Sequence, residues 1–127
     1  VGLAPHAALE PLSATATLAN GGLQLWIATQ LPGLARDSAA RAIGLDPEDV
    51  TVHPMLIGGS FGRKYEVEIA GQVAILALKL KRPVQLTWSR AEDLMHEPFR
   101  PAARASCPSW RCTTTPARGS TCSASGC

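Results

Sequence analysis

Every aliphatic side chain large enough to build a core lies before residue 103. Residues 103–127 contain no Ile, Leu, Val or Met, no acidic residue and no Lys. They hold three arginines, Arg104, Arg111 and Arg118, and all four cysteines of the 127-residue chain. A segment so poor in apolar surface cannot offset the entropy of ordering itself. Any packed fold is therefore confined to residues 1–102. Removing three basic residues from twelve leaves nine against ten acids in that body, a net charge of −1 within a chain of +2. Such a balance gives no electrostatic case for a nucleic-acid partner. No run of about 18 apolar residues occurs, so no transmembrane segment is expected. The chain opens on Val1 without a signal-like segment, so its start is read as processed away or as mid-gene.

The tail admits three readings. Four cysteines can staple a small disulfide framework. They can bind zinc, although Cys107, Cys112, Cys122 and Cys127 are spaced C-x4-C-x9-C-x4-C, without a C-x2-C knuckle. The third reading is frameshifted, disordered sequence: Arg, Ala, Ser, Pro, Gly, Cys and Trp are what a GC-rich gene yields out of frame. The abrupt change from a cysteine-free, well-patterned body fits this third reading best.

The body has the pattern of an α/β or α+β fold. Residues 13–30 read as a β-hairpin around Asn20-Gly21-Gly22, since Asn-Gly is a strong turn signal between strand-favouring runs. Residues 34–43 read as a short helix ended by Gly44. Residues 50–57 read as a strand in which Pro54 argues for an edge position. Residues 65–81 read as a helix with Ile69, Val73, Leu76 and Leu80 on one face, widened by Ala70, Ala74 and Ala77. Residues 84–89 alternate as a half-buried strand. Ser89 with Glu92 has the spacing of a capping box for a helical turn through Met95.

The segment Gly58-Gly59-Ser60-Phe61-Gly62-Arg63-Lys64 carries the most chemistry. It follows one expected strand and precedes one expected helix, a place where free amides and the helix dipole favour anions. Glycine lets a backbone approach a ligand closely. A flat Phe61 among small residues suits stacking on or walling off a flat group, and Arg63 and Lys64 are candidate phosphate contacts. The segment lacks the Gly-Lys-Ser/Thr ending of a P-loop and is not a dinucleotide fingerprint. A turn that simply needs glycines explains it equally well. Gln30, at a strand end before Pro32-Gly33, is either a ligand-addressing amide or a solvated one. His6, His53 and His96 are scattered without metal spacing. Glu66 and Glu68 suit a helix start better than a general-base role.

Several stretches in order extend this reading. His6-Ala7-Ala8-Leu9-Glu10-Pro11, Trp26-Ile27-Ala28-Thr29-Gln30, the GGSFGRK loop, Pro83 through Asp93, and Phe99-Arg100-Pro101-Ala102 together resemble the molybdopterin-binding large subunit of the xanthine dehydrogenase and aldehyde oxidase family. Within that family, the loop and the Phe-Arg-Pro-Ala close are most similar to the beta chains of bacterial isoquinoline 1-oxidoreductases. The resemblance covers residues 5–102 and makes them part of a molybdopterin-binding domain.

The resemblance implies a molybdenum–molybdopterin cofactor in its cytosine dinucleotide form. It implies hydroxylation of an aldehyde or N-heterocycle with oxygen from water, and electrons leaving through iron–sulfur clusters on a small partner subunit. It implies that Gln30 hydrogen-bonds near the molybdenum oxo group, that Phe61 stands beside the metal, and that Gly59, Ser60 and Gly62 supply the surrounding backbone. Tyr65 stands where the xanthine-oxidising members carry a substrate-contacting glutamate, so purine specificity is not supported. The family's catalytic glutamate and most dinucleotide contacts lie beyond this chain, which alone is expected to be inactive. The compartment, cytoplasmic or periplasmic, is left open. The competing expectation is a small non-enzymatic module that binds a phosphate-bearing ligand at the GGSFGRK loop.

Overall fold

Period-two burial in the first half of the chain builds one sheet. In the computed structural model, which describes residues 5–19 and 21–99, strand β1 (Ser13–Ala19) pairs antiparallel with β2 (Gly22–Ile27), with Ala14 opposite Ile27 and Ala19 opposite Gly22. Asn20, in the expected turn, lies outside the described residues; its neighbour Gly21 takes a left-handed φ of 81°. Gly22 is constrained differently, because a Cβ there would stand 2.8 Å from the Asp49 carbonyl oxygen. Only a residue without a side chain lets β2 start so close to the approach of the next strand.

Helix α1 (Pro32–Ile43) crosses from β2 to β3 (Val50–Pro54), which runs parallel to β2. Such a parallel connection needs a crossover element, and α1 is that element. The helix begins two residues before its expected start, because Pro32 occupies the first turn, where its missing N–H costs nothing. Gly44 ends it at a left-handed φ of 72°. β3 stops at Pro54 instead of running to residue 57. The strand lies at the sheet edge, as the proline demands, and Met55, Leu56 and Ile57 leave it exposed.

Helix α2 (Glu68–Leu80) is shorter at its N-terminus than periodicity suggests. Arg63–Tyr65 form a 3-10 turn instead, and Glu66 and Val67 are not helical. Buried Ile69, Ala70, Val73, Ala74 and Ala77 form its inner face, while Leu80 is exposed. Gly71 lies where α2 crosses α1, its Cβ position 3.4 Å from that of Ala42. Strand β4 (Val84–Thr87) completes a sheet of order β3-β2-β1-β4, antiparallel to β1. Helix α3 (Arg90–Met95) follows behind a capping box: Ser89 accepts the Glu92 amide and Glu92 accepts the Ser89 amide.

Both long helices pack on one face of the sheet. Ala14, Ala16, Leu23, Leu25 and Ile27 meet Ala35, Ala39, Ala40, Ile69, Val73 and Ala77 in a core rich in alanine, which brings helices close to strands. The layered α/β expectation is met, with a mixed rather than parallel sheet. The opposite face is polar apart from Trp26, which stacks on His53 at 4.9 Å, and His53 Nε2 lies 2.6 Å from Gln24 Oε1. Among the described residues no helix is long and apolar enough to cross a membrane. The cysteine-rich segment 103–127 lies outside the described residues.

Candidate functional site

The glycine loop joins the end of β3 to the 3-10 turn, and its local geometry follows from two consecutive left-handed residues. Phe61 has φ 52° and Gly62 has φ 98°. Glycine adopts this region freely, whereas a phenylalanine there carries about 1–2 kcal/mol of backbone strain. The reversal turns Phe61 outward, 56% exposed, and folds the residues after Gly62 inward. The Arg63 amide donates to the Ser60 carbonyl at 2.8 Å, and the Tyr65 amide to the Gly62 carbonyl at 3.2 Å. Among the described residues the amides of Gly59, Ser60 and Gly62 donate no hydrogen bond.

The two cations of the loop turn away from any ligand. Lys64 is 1% exposed, and its Nζ lies 2.5 Å from Glu10 Oε2. The same oxygen accepts the Gly58 amide at 2.7 Å. The Lys64 hydrogen bond holds the Glu10 carboxyl below its ordinary value; burial opposes this and the Gly58 amide adds to it. Arg63 is fully buried, its guanidinium 5.7 Å over the Trp88 ring, with Asp93 at 3.4 Å and Glu68 at 3.7 Å. The expectation that Arg63 and Lys64 contact phosphates is therefore not met by the geometry. Both cations are committed to carboxylates within the fold. The expected placement of the loop at a helix N-terminus also changes, because a 3-10 turn and two further residues separate it from α2.

Gln30 is brought to the same seam. Its amide donates to the Lys64 carbonyl at 3.0 Å, and Thr29 Oγ1 donates to that carbonyl at 3.2 Å. The Leu31 amide in turn donates to Thr29 Oγ1. β2 ends at Ile27 and not at Gln30 as expected, so one carbonyl pins the segment just after β2 to the residue after Arg63, while the Gln30 side chain remains exposed. Gln30, Gly59, Ser60, Phe61 and Gly62 therefore sit on two segments held side by side. Glu66 and Glu68 flank the start of α2, and Glu68 faces Arg63.

Sequence reasoning missed the residues that hold the site. Glu10, Asp93 and Glu97 act across 54, 30 and 91 positions of sequence, and no local pattern marks them. Glu97 is buried, accepts the amides of His6 and Ala7, and lies 2.9 Å from His6 Nδ1. His96 packs edge-on against Trp88. Among the described residues no cluster of three or more His, Cys, Asp or Glu is arranged to hold a metal ion. The arrangement offers free amides, an exposed aromatic ring and an exposed amide side chain, a chemistry suited to an anionic, flat ligand held by backbone donors.

Known proteins resemble this chain in sequence and in fold. The profile of the molybdopterin cofactor-binding domain family matches residues 1–108. The beta chain of isoquinoline 1-oxidoreductase from Brevundimonas diminuta is 36% identical over 98 residues, 76% of this chain and 12% of that protein. The molybdenum-binding chain of the aldehyde oxidoreductase of Escherichia coli is 31% identical over 98 residues, 76% of this chain and 13% of that protein. Aldehyde oxidoreductase from Desulfovibrio gigas superposes with a TM-score of 0.71 at 27% identity, covering 79% of this chain and 11% of that one. The chain thus spans about an eighth of the length of these relatives. The family profile over residues 1–108 and the identity to these relatives show that the chain belongs to the molybdopterin cofactor-binding domain family found in the xanthine dehydrogenase and aldehyde oxidase enzymes.

Proposed function

We propose that residues 5–102 supply one wall of a molybdenum cofactor pocket in a hydroxylase acting on an aldehyde or a small aromatic N-heterocycle. The observation that carries this reading is the pinning of Gln30 to the glycine loop through the Lys64 carbonyl. It ties the segment carrying the exposed Gln30 side chain to the loop that carries the exposed Phe61 ring and three amides that donate to no described residue. These residues fit the cofactor: among the described residues the amides of Gly59, Ser60 and Gly62 donate to no partner and are open to anionic oxygens, while Arg63 and Lys64 are held by carboxylates. Phe61 walls the flat side of the pocket and excludes water, while Gln30 offers a donor and an acceptor to the group opposite.

The cofactor, when bound, supplies the two-electron oxidation and the site at which oxygen from water is delivered to substrate carbon. The protein's part is binding, orientation and exclusion of solvent. The cytosine dinucleotide form, electron transfer to an iron–sulfur small subunit, and a bacterial origin in cytoplasm or periplasm belong to the same proposal. No residue of this chain is assigned a catalytic proton transfer or a direct bond to the metal.

Residues 5–102 placed in the corresponding segment of a full-length relative, purified from a host that makes the cytosine dinucleotide cofactor, test the proposal. Molybdenum, pterin and acid-released cytidine monophosphate should be recovered in equal amounts, and all three should fall in Gln30→Ala and Phe61→Ala variants that remain folded. A folded chimera without molybdenum, or variants loaded as fully as the unsubstituted chimera, would refute it.

A further inference from the structure

Two independent routes tie the glycine loop to helix α3, and both meet at Asp93. The first is direct: Arg63, the residue after the left-handed pair, places Nε 3.4 Å from Asp93 Oδ1, both side chains fully buried. The second is relayed. Asp93 Oδ2 holds the Arg90 guanidinium at 3.4 Å. Arg90 donates to the carbonyls of Ala8 and Leu9, the latter at 2.9 Å. The Leu9 amide donates to the Gly59 carbonyl at 2.7 Å. One end of the loop, Arg63, and the other, Gly59, are thereby referred to a single carboxylate.

We infer that Asp93 is the positioning residue of the glycine loop, fixing Gly59 through Gly62 by way of Arg63 and Arg90. The inference rests on the proposed function for what the loop positions, but not for the positioning itself. The strain at Phe61 requires such a device. A phenylalanine at φ 52° relaxes toward right-handed or extended backbone unless neighbours over-determine it. Charge balance excludes a simpler use of Arg63. With Asp93 and Glu68 both within 3.7 Å, one guanidinium already faces two carboxylates, so the cluster has no spare positive charge for an anionic ligand.

The geometry also separates positioning from mere stability. Helix α3, which carries Asp93, contributes no residue to the hydrophobic cluster between the sheet and helices α1 and α2; the connection to that cluster runs through Arg63 over the Trp88 ring. Loosening Asp93 should therefore free the loop before the sheet.

Hydrogen exchange on the full 127-residue chain without cofactor tests this. In Asp93→Asn the amides of Arg63, Tyr65 and Leu9 should exchange about tenfold faster, while those of the β1–β2 ladder stay within about twofold. Arg90→Gln, an exposed change that leaves the buried Arg63 pair intact, should speed the Leu9 amide and spare that of Arg63. It keeps the test decisive should Asp93→Asn not fold. Loop and ladder amides accelerating together, or a Leu9 amide indifferent to Arg90→Gln, overturns the inference. If the loop responds as expected but no cofactor is ever retained, the proposed function fails and the positioning role stands.

Discussion

Lys64 and Glu10 meet at 2.5 Å with the ammonium almost wholly buried, and the same Glu10 oxygen also holds the Gly58 amide. A single carboxylate therefore spans both ends of the glycine loop. It brings the β1-proximal segment against the loop's first glycine and neutralises the loop's last cation. The Gly58 Cβ position lies 2.8 Å from that oxygen, so the contact depends on glycine as well as on charge.

The first prediction concerns pH. Glu10 titrates below the ordinary carboxyl value of 4.5 in the folded chain, chiefly because Lys64 hydrogen-bonds its charged form. Above 4.5 the carboxylate is ionised whether the chain is folded or not, and the contribution is fully present. As pH falls below that value the unfolded chain takes up the proton first, so stability is lost until the lowered folded value is passed. Urea midpoints should fall as the pH drops through and below 4.5, and less steeply in Glu10→Gln than in wild type.

At neutral pH the same Glu10→Gln change should destabilise the fold by about 2 kcal/mol. It strands a buried ammonium, with the loss moderated because the Glu10 side chain is 38% exposed. Equilibrium denaturation at pH 7 measures it. A Lys64→Met partner change should cost less than Glu10→Gln, because it leaves no charge uncompensated in the interior.

Gly22→Ala should destabilise by about 1–3 kcal/mol, since the added methyl meets a backbone oxygen at 2.8 Å that cannot swing aside. Thermal unfolding reads this out. Gly33→Ala serves as the control: nothing lies within 4 Å of its Cβ position, and alanine favours the helix.

Phe61→Gly should be more stable than Phe61→Ala by about 0.5 kcal/mol. Relief of the left-handed strain slightly exceeds the entropy that glycine adds to the unfolded chain. The same variant should lose cofactor, because the flat wall is gone. Stability by urea denaturation and pterin content by fluorescence should thus move apart.

How far the sequence reaches is visible in particular elements. The hairpin, the Pro54 edge, the β4 alternation and the Ser89–Glu92 box were legible because each is a local rule acting within a few residues. The start of α2 was not. Periodicity carries the helix back to residue 65, but the left-handed turn at Phe61–Gly62 and the burial of Arg63 and Lys64 against distant acids win over propensity there. The loop was conspicuous for its glycines; Gln30 was singled out as a strand end, yet the strand stops at Ile27 and Gln30 lies in the connection to α1. The inward turn of both cations was invisible, because Glu10 and Asp93 become neighbours only through the fold. Nothing in a run of Arg-Lys distinguishes an anion site from two buried ion pairs.

We propose that the amides of Gly59, Ser60 and Gly62, together with Gln30 and Phe61, face the molybdenum cofactor. Hydrogen exchange of the loaded and the cofactor-free protein tests it most directly. Those three amides should be protected on loading, with the polar sheet face around Trp26 and His53 unchanged. Protection confined to the sheet face, or loop amides that exchange equally fast with and without cofactor, would contradict it.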